Sequence, residues 1–135
     1  MPDLSTINWL AVLACVVLSM VSGFVWYHPK LFFPAWWVGI GKFGEPGNPN
    51  PVIYVFTIIA AFVQALFVSL LLNTMGTTTA ASGALAGFML WLGFVAPTNL
   101  VNKLFAGHGL KVWAIEAGNH LLNFLLFGVI LSVWR

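Results

Sequence analysis

The 135-residue sequence has very few charged side chains: 6% of its residues are Asp, Glu, Lys or Arg, whereas 61% are apolar. A soluble domain usually has about a quarter charged residues, so this chain could not cover a water-facing surface. We therefore expect lipid to be its main solvent. Five basic and three acidic side chains are also too few for the dense Lys/Arg patch of a nucleic-acid surface, which argues against nucleic-acid partners.

Cysteine and the common catalytic motifs are equally scarce. A single cysteine, Cys15, lies inside an apolar run, so no internal disulfide can form, and we interpret it as a small packing residue. The sequence has no GxSxG, phosphate-binding loop, HExxH, CxxC or paired carboxylates. We therefore predict a protein that is not an enzyme and needs no cofactor. An intramembrane reaction at Glu116 and His120 is the least favoured alternative.

Four long apolar runs are present, at about residues 7–27, 52–72, 80–100 and 112–134. Each is close to the ~20 residues that span a ~30 Å hydrocarbon core. Backbone in lipid must satisfy its own hydrogen bonds, so these runs are predicted to be helices. No basic residue precedes the first run, so we expect it to be retained rather than cleaved as a signal peptide. The sequence predicts an all-α fold, an integral membrane four-helix bundle forming one domain over residues 1–135.

The connections between the runs differ in length and character. Residues 73–79 are a short turn, which predicts an antiparallel hairpin of the second and third spans. Residues 29–42 are bulky and apolar but too short to span, which favours an interfacial helix between the first two spans. Pro97 is expected to kink or end the third span, because proline lacks the N–H that a helix interior needs.

The positive charges lie mainly on one side of the predicted bundle. The first and third loops share a side and carry four of the five cations, and the terminal side carries only Arg135: the four are Lys30, Lys42, Lys103 and Lys111. Cytoplasmic loops are rich in Lys and Arg, so we predict that these two loops are cytoplasmic and that both termini face outside, across the cell inner (plasma) membrane. The lysines are expected to contact anionic lipid headgroups, and the lipid bilayer is the main expected partner.

Small residues recur at steps of four along two spans, and close backbone packing in membranes favours such stripes. They are Ala11, Cys15, Ser19 and Gly23 in the first span and Gly83 and Gly87 in the third. We interpret them as helix-packing faces. Whether each face packs within the chain or against another copy is left open, so a homo-oligomer or a larger membrane complex is one alternative.

Glu116 is the only acidic residue within a predicted span, and ionisable groups in that setting are costly. His120 and Asn123 follow it at i+4 and i+7, on the same helix face, and Asn119 flanks them. Thr98, Asn99 and Asn102 are expected at a similar depth in the third span, and His28 could join the cluster.

Three interpretations of this candidate polar cluster are retained. In the first, Glu116 and His120 clamp helices together by bonding each other and the third span. In the second, they line a proton or ion pathway, because histidine titrates near neutrality. In the third, they bind a metal, but a closed site needs about four ligands, so no metal site is predicted. Gln64, in the middle of the second span, is expected to form an interhelical hydrogen bond.

Three segments resemble the motifs of a bacterial family called domain of unknown function 1761. They are GFVWYHPKLF at residues 23–32 with the tryptophans at 36 and 37, the run from Trp91 through GFVAP to NKLF at residues 102–105, and EAGNHL at residues 116–121. The resemblance covers nearly the whole chain. It implies a four-helix membrane protein and implies no activity.

The sequence therefore favours a multi-pass membrane protein that is a non-enzymatic, self-associating or accessory bundle. The alternative function is permeation of a small solute, ion or proton through the polar cluster at Glu116 and His120.

Overall fold

A computed structural model describes residues 2–135 of the chain. Within that range it is all-helical, without strands. Four helices are long and apolar enough to cross a membrane: α1 (Trp9–Trp26), α3 (Pro51–Met75), α4 (Ala80–Phe105) and α5 (Gly109–Val133). A short helix, α2 (Phe33–Gly39), lies between the first two. These elements confirm the predicted all-α membrane bundle with a short helix between its first two spans.

Three of the helices, α1, α3 and α4, begin at polar side chains that accept hydrogen bonds from backbone N–H groups left free at a helix start. The Asn8 side chain accepts a hydrogen bond from the Ala11 N–H at 3.2 Å. Asn50 does the same for Val52 at 3.0 Å. α3 ends at Gly76, whose φ of 75° is the left-handed conformation that glycine adopts at low cost. Local sequence thus sets the helix ends.

Pro97 does not end the third span. α4 passes through it as three continuous segments: Ala80–Leu90, a π-helical turn at Trp91–Val95, and Ala96–Phe105. In that turn the Ala96 N–H donates to the Trp91 carbonyl, five residues back. The wider turn makes room for a proline ring that would collide with the preceding turn of a regular α-helix. α4 therefore continues beyond the predicted end near residue 100.

Both chain termini and the α3–α4 turn meet at one end of the bundle, which we call the terminal end. The Asn73 side chain donates to the Thr6 carbonyl at 3.0 Å. The Thr77 and Ser132 hydroxyls lie 3.0 Å apart. Arg135 donates to the carbonyl oxygens of Leu72, at 3.3 Å, and of Thr77. Arg135 therefore ties the C-terminus of the chain to the last turn of α3 and to the α3–α4 turn. The opposite end, with α2 and the α4–α5 turn, is called the loop end.

α5 is the helix on which the others pack. It contacts α1, α2, α3 and α4, whereas α3 and α4 touch each other at few points although they are joined by a short turn. Apolar side chains of α1, α3, α4 and α5 fill the terminal half of the bundle: Ile7, Ala11, Val12, Cys15, Ala65, Val68, Leu72, Ala86, Phe124, Phe127 and Leu131. The expected hairpin is therefore held together mainly through α5.

The small-residue faces pack within the chain. A Cβ at Gly83 would overlap the Gly128 carbonyl, and one at Gly87 would overlap the Phe124 carbonyl, so the backbones of α4 and α5 are in close contact. Ala11 and Cys15 are fully buried and Ser19 is buried with them. Gly23 differs, because the space beside it is open. Apart from Gly23, the small residues of both stripes therefore make their contacts within the chain.

Candidate functional site

Glu116 joins three helices near the loop end. Its Oε2 accepts a hydrogen bond from the Trp36 indole N–H of α2 at 2.9 Å. The same oxygen lies 3.1 Å from Lys103 Nζ of α4, and the two side chains are only 15% and 22% exposed. Within the chain the Lys103 ammonium group therefore pairs with Glu116, a partner that the sequence did not predict for it. Removing either partner of an ion pair this buried would leave the other charge uncompensated, which destabilises the folded protein.

The expected bond between Glu116 and His120 does not form, because no hydrogen bond in residues 2–135 joins the two. In the same range neither Asn99 nor Asn102 forms a hydrogen bond with Glu116. The Asn99 amide nitrogen is buried without a partner in that range, and Asn102 is exposed. His28 is exposed and accepts a hydrogen bond from the Lys30 N–H at 3.1 Å. Of the clamp interpretation, only the contact of Glu116 with the third span is observed, and it runs through Lys103.

Asn119 and Asn123 meet α1 at a buried serine. The Ser22 hydroxyl donates to Asn123 Oδ1 at 2.5 Å, and Asn119 Nδ2 donates to the Ser22 oxygen at 3.4 Å. All three residues are at least nine-tenths buried. This contact holds α1 and α5 together and turns the amide oxygen of Asn123 toward α1.

Three tryptophans link helices by donating to backbone carbonyls, a role that the sequence did not predict. Trp26 of α1 donates to Ile115 at 2.8 Å and Trp91 of α4 donates to Ala117 at 2.9 Å, both in α5. Trp113 of α5 donates to Ala96 at 3.0 Å, next to the π-helical turn. The position of Trp91 in the middle of a span could have predicted this role, because lipid offers no hydrogen-bond partner to its indole N–H.

A cavity of about 440 Å³ lies between α1, α3 and α5, on the loop-end side of the packed core. His120 and Asn123 of α5 and Gln64 of α3 face it. Neither His120 nor Gln64 forms a side-chain hydrogen bond in the described part of the chain, and the amide nitrogen of Asn123 forms none there either. The expected interhelical hydrogen bond of Gln64 is therefore absent, and these donors and acceptors are free to bind a guest.

The cavity is closed toward the terminal end and open to the side. Cys15, Ala65 and Phe127 lie just beyond its deep end and are 0% exposed. At its rim Phe24 of α1 is 65% exposed and Ile53 of α3 is 56% exposed, so this side faces the hydrocarbon around the bundle. Phe33 of α2 lines the cavity near the loop end. The geometry is that of a blind pocket entered from the bilayer.

Metal binding has little support from the geometry. Among residues 2–135 no group of three or more His, Cys, Asp or Glu side chains is placed to hold a metal ion. The i, i+4 pair of Glu116 and His120 gains no third ligand, because His28 lies elsewhere. A closed site needs about four ligands, and a catalytic site about three.

Comparison with known proteins agrees with the sequence motifs. No curated protein and no solved structure matches the chain. A family model described as protein of unknown function (DUF1761) matches residues 10–132, which include all four membrane-spanning helices apart from the ends of the first and last. The chain therefore belongs to the DUF1761 family.

Proposed function

We propose that this protein is a non-enzymatic membrane protein that binds a small molecule within the bilayer, in the cavity between α1, α3 and α5. The main support for this proposal is that His120, Asn123 and Gln64, each with free hydrogen-bonding groups, line one cavity of about 440 Å³. Small-molecule sites in proteins are apolar concavities of about 300–1,000 Å³ with a few convergent polar groups.

The free-energy cost of polar groups without hydrogen bonds also favours a bound molecule. A polar group that is removed from water without a hydrogen bond costs roughly 1–3 kcal/mol, and the hydrocarbon core supplies no partner. Keeping three such groups around one lipid-facing space is unfavourable for a bundle whose only task is to be stable. A bound molecule with its own polar groups, or water held with it, would offset that cost.

Two other roles have weaker support. Permeation would need a path across the bilayer, and the cavity ends at the packed side chains of Cys15, Ala65 and Phe127. Self-association was inferred from small-residue faces, and Gly83 and Gly87 are in contact with α5 of the same chain. A binding role needs neither a path nor a second copy.

The test is binding of membrane-derived molecules to the purified protein. The wild type, released from detergent in native mass spectrometry after incubation with an organic extract of host-cell membranes, is expected to carry one saturable adduct per chain. The double variant Gln64→Leu/His120→Phe is expected to lose most of it, because both polar contacts are gone. Asn102→Leu is the matched control, since Asn102 is exposed and lies outside the cavity. Equal adducts in all three proteins would contradict the proposal.

A flux measurement separates binding from permeation. Proteoliposomes loaded with a pH-sensitive dye are expected to dissipate a proton gradient no faster than empty liposomes, since the packed terminal half closes the cavity. Proton flux above that of empty liposomes that His120→Phe abolishes would contradict the binding proposal and support the permeation pathway.

A further inference from the structure

We infer that the molecule bound in the cavity is an uncharged amphiphile, with a carbonyl or hydroxyl head at Gln64, His120 and Asn123 and an apolar body that leaves between α1 and α3. This inference rests on the proposed binding function and names the class of ligand. It follows from the charge of the cavity lining, the direction of its free hydrogen-bonding groups and the position of its opening.

The lining offers no fixed charge. No Lys, Arg, Asp or Glu is among the residues that surround the cavity. Lys103 is paired with Glu116, and Lys30 and Lys111 are not among the lining residues. Lys42 lies 4.9 Å from the centre of the Trp37 ring, and Arg135 is bound to carbonyls at the opposite end. A charged head would enter a low-polarity site without a counterion, which is strongly unfavourable.

The free polar groups favour a head that accepts hydrogen bonds. The oxygen of Asn123 is already engaged by Ser22, so only its N–H₂ is available to the cavity. The Gln64 amide adds two further N–H donors and one carbonyl acceptor, and the neutral imidazole of His120 adds one donor and one acceptor, so donors outnumber acceptors. A carbonyl or hydroxyl oxygen matches this set, whereas a hydrocarbon alone would leave every donor unsatisfied.

The volume of the cavity and the position of its opening indicate the size and shape of the apolar part of the ligand. Water occupies about 30 Å³ per molecule in the liquid, so a space of about 440 Å³ holds on the order of 15 non-hydrogen atoms. The remaining lining is largely apolar, with Met20, Phe24 and Phe33 on one side and Ile53, Ala60 and Ala61 on the other. Since Phe24 and Ile53 are also exposed at the rim, a chain longer than the cavity would extend into the bilayer.

The experiment compares four probes of similar chain length that differ in the head. They are 1-lauroylglycerol, which is neutral; laurate at a pH where it is ionised; dodecyltrimethylammonium, which is cationic; and dodecane, which has no head. Dissociation constants are measured by titration in native mass spectrometry on the full chain. 1-Lauroylglycerol is expected to bind at least about tenfold more tightly than each of the others, a ratio that corresponds to roughly one lost hydrogen bond to the head or more.

Variants connect the preference to the cavity. Gln64→Leu and His120→Phe are each expected to weaken 1-lauroylglycerol binding about three- to thirtyfold and to leave dodecane binding unchanged, whereas Asn102→Leu changes neither. Thermal unfolding of each variant in the same detergent checks that the fold is kept, and Gln64→Glu provides a second variant of near-identical size.

The contrary outcomes are distinct. Binding of laurate or the cation that equals or exceeds that of 1-lauroylglycerol overturns the neutral-head inference but leaves the binding function in place. Equal binding of dodecane overturns the role of the polar groups. Absence of cavity-dependent binding by every probe overturns the inference as well. The binding function then stands or falls separately, with the adduct from the membrane extract.

Discussion

Gly83→Ala is expected to destabilise the bundle by about 2–4 kcal/mol, because the added methyl group has no space. It would overlap the Gly128 carbonyl oxygen, the Gly128 carbonyl carbon and the Ser132 hydroxyl. Two of these are backbone atoms, which cannot rotate away as a flexible side chain can. Relief therefore requires α4 and α5 to separate, and that contact joins α4 to the helix on which the others pack. Reversible unfolding of the detergent-solubilised protein by SDS, followed by circular dichroism, measures the loss.

Gly93→Ala is the matched control in the same helix. A Cβ at Gly93 meets nothing within 4 Å, and its position is exposed. Alanine in place of glycine within a helix is stabilising by up to about 1 kcal/mol. Gly93→Ala is therefore expected to be neutral or slightly stabilising. If Gly83→Ala unfolded at the same SDS fraction as Gly93→Ala, the close α4–α5 contact described above would be wrong.

Glu116→Leu is expected to destabilise the protein by about 2–3 kcal/mol and to release α2 from the bundle. The substitution leaves the Trp36 N–H and the Lys103 ammonium group, both mostly buried, without their shared partner. An unpaired buried charge and an unpaired buried donor are each costly. Glu116→Gln is expected to lose less, since an amide oxygen still accepts from Trp36. Steady-state tryptophan fluorescence is expected to shift to the red as Trp36 enters a wetter environment.

A second substitution tests whether loss of the Glu116–Lys103 ion pair causes the lower stability of Glu116→Leu. On the Glu116→Leu background, Lys103→Met removes the orphaned ammonium group and is expected to recover about half of the lost stability. Glu45→Gln, in the exposed loop before α3, removes the same charge at a site outside any ion pair in the described chain and is expected to change nothing. Additive effects of Glu116→Leu and Lys103→Met would mean that the two side chains do not interact.

Much of the fold could be predicted because composition and helix-end signals are local properties. The four spans follow from hydropathy, and Asn8, Asn50 and Gly76 are located at helix ends where local chemistry favours them. The π-helical turn before Pro97 could not be predicted in the same way. It depends on whether neighbouring helices hold the chain helical past a proline, and the Trp113 side chain bonded to Ala96 is one such neighbour.

The candidate site was predicted only in part. The spacing of Glu116, His120 and Asn123 correctly places them on α5, but spacing within one helix does not show which other helix each residue meets. Glu116 turned out to contact α2 and α4, and His120 and Asn123 face a cavity shared with α3. The cavity itself arises because the loop-end half of α3, residues 51–60, is exposed rather than packed against its neighbours. This exposure depends on how α3 packs against the other helices, which the residue pattern of α3 alone does not show.

The helix that contacts all the others is also the last of the four to leave the ribosome. Before α5 enters the bilayer α1 and α3 can pack on each other, whereas α4 has few contacts with α3 and lacks the helix on which it mainly packs. Docking of α4 and completion of the bundle therefore follow insertion of α5. A polypeptide halted before residue 109 would be inserted with α4 undocked from the rest of the bundle.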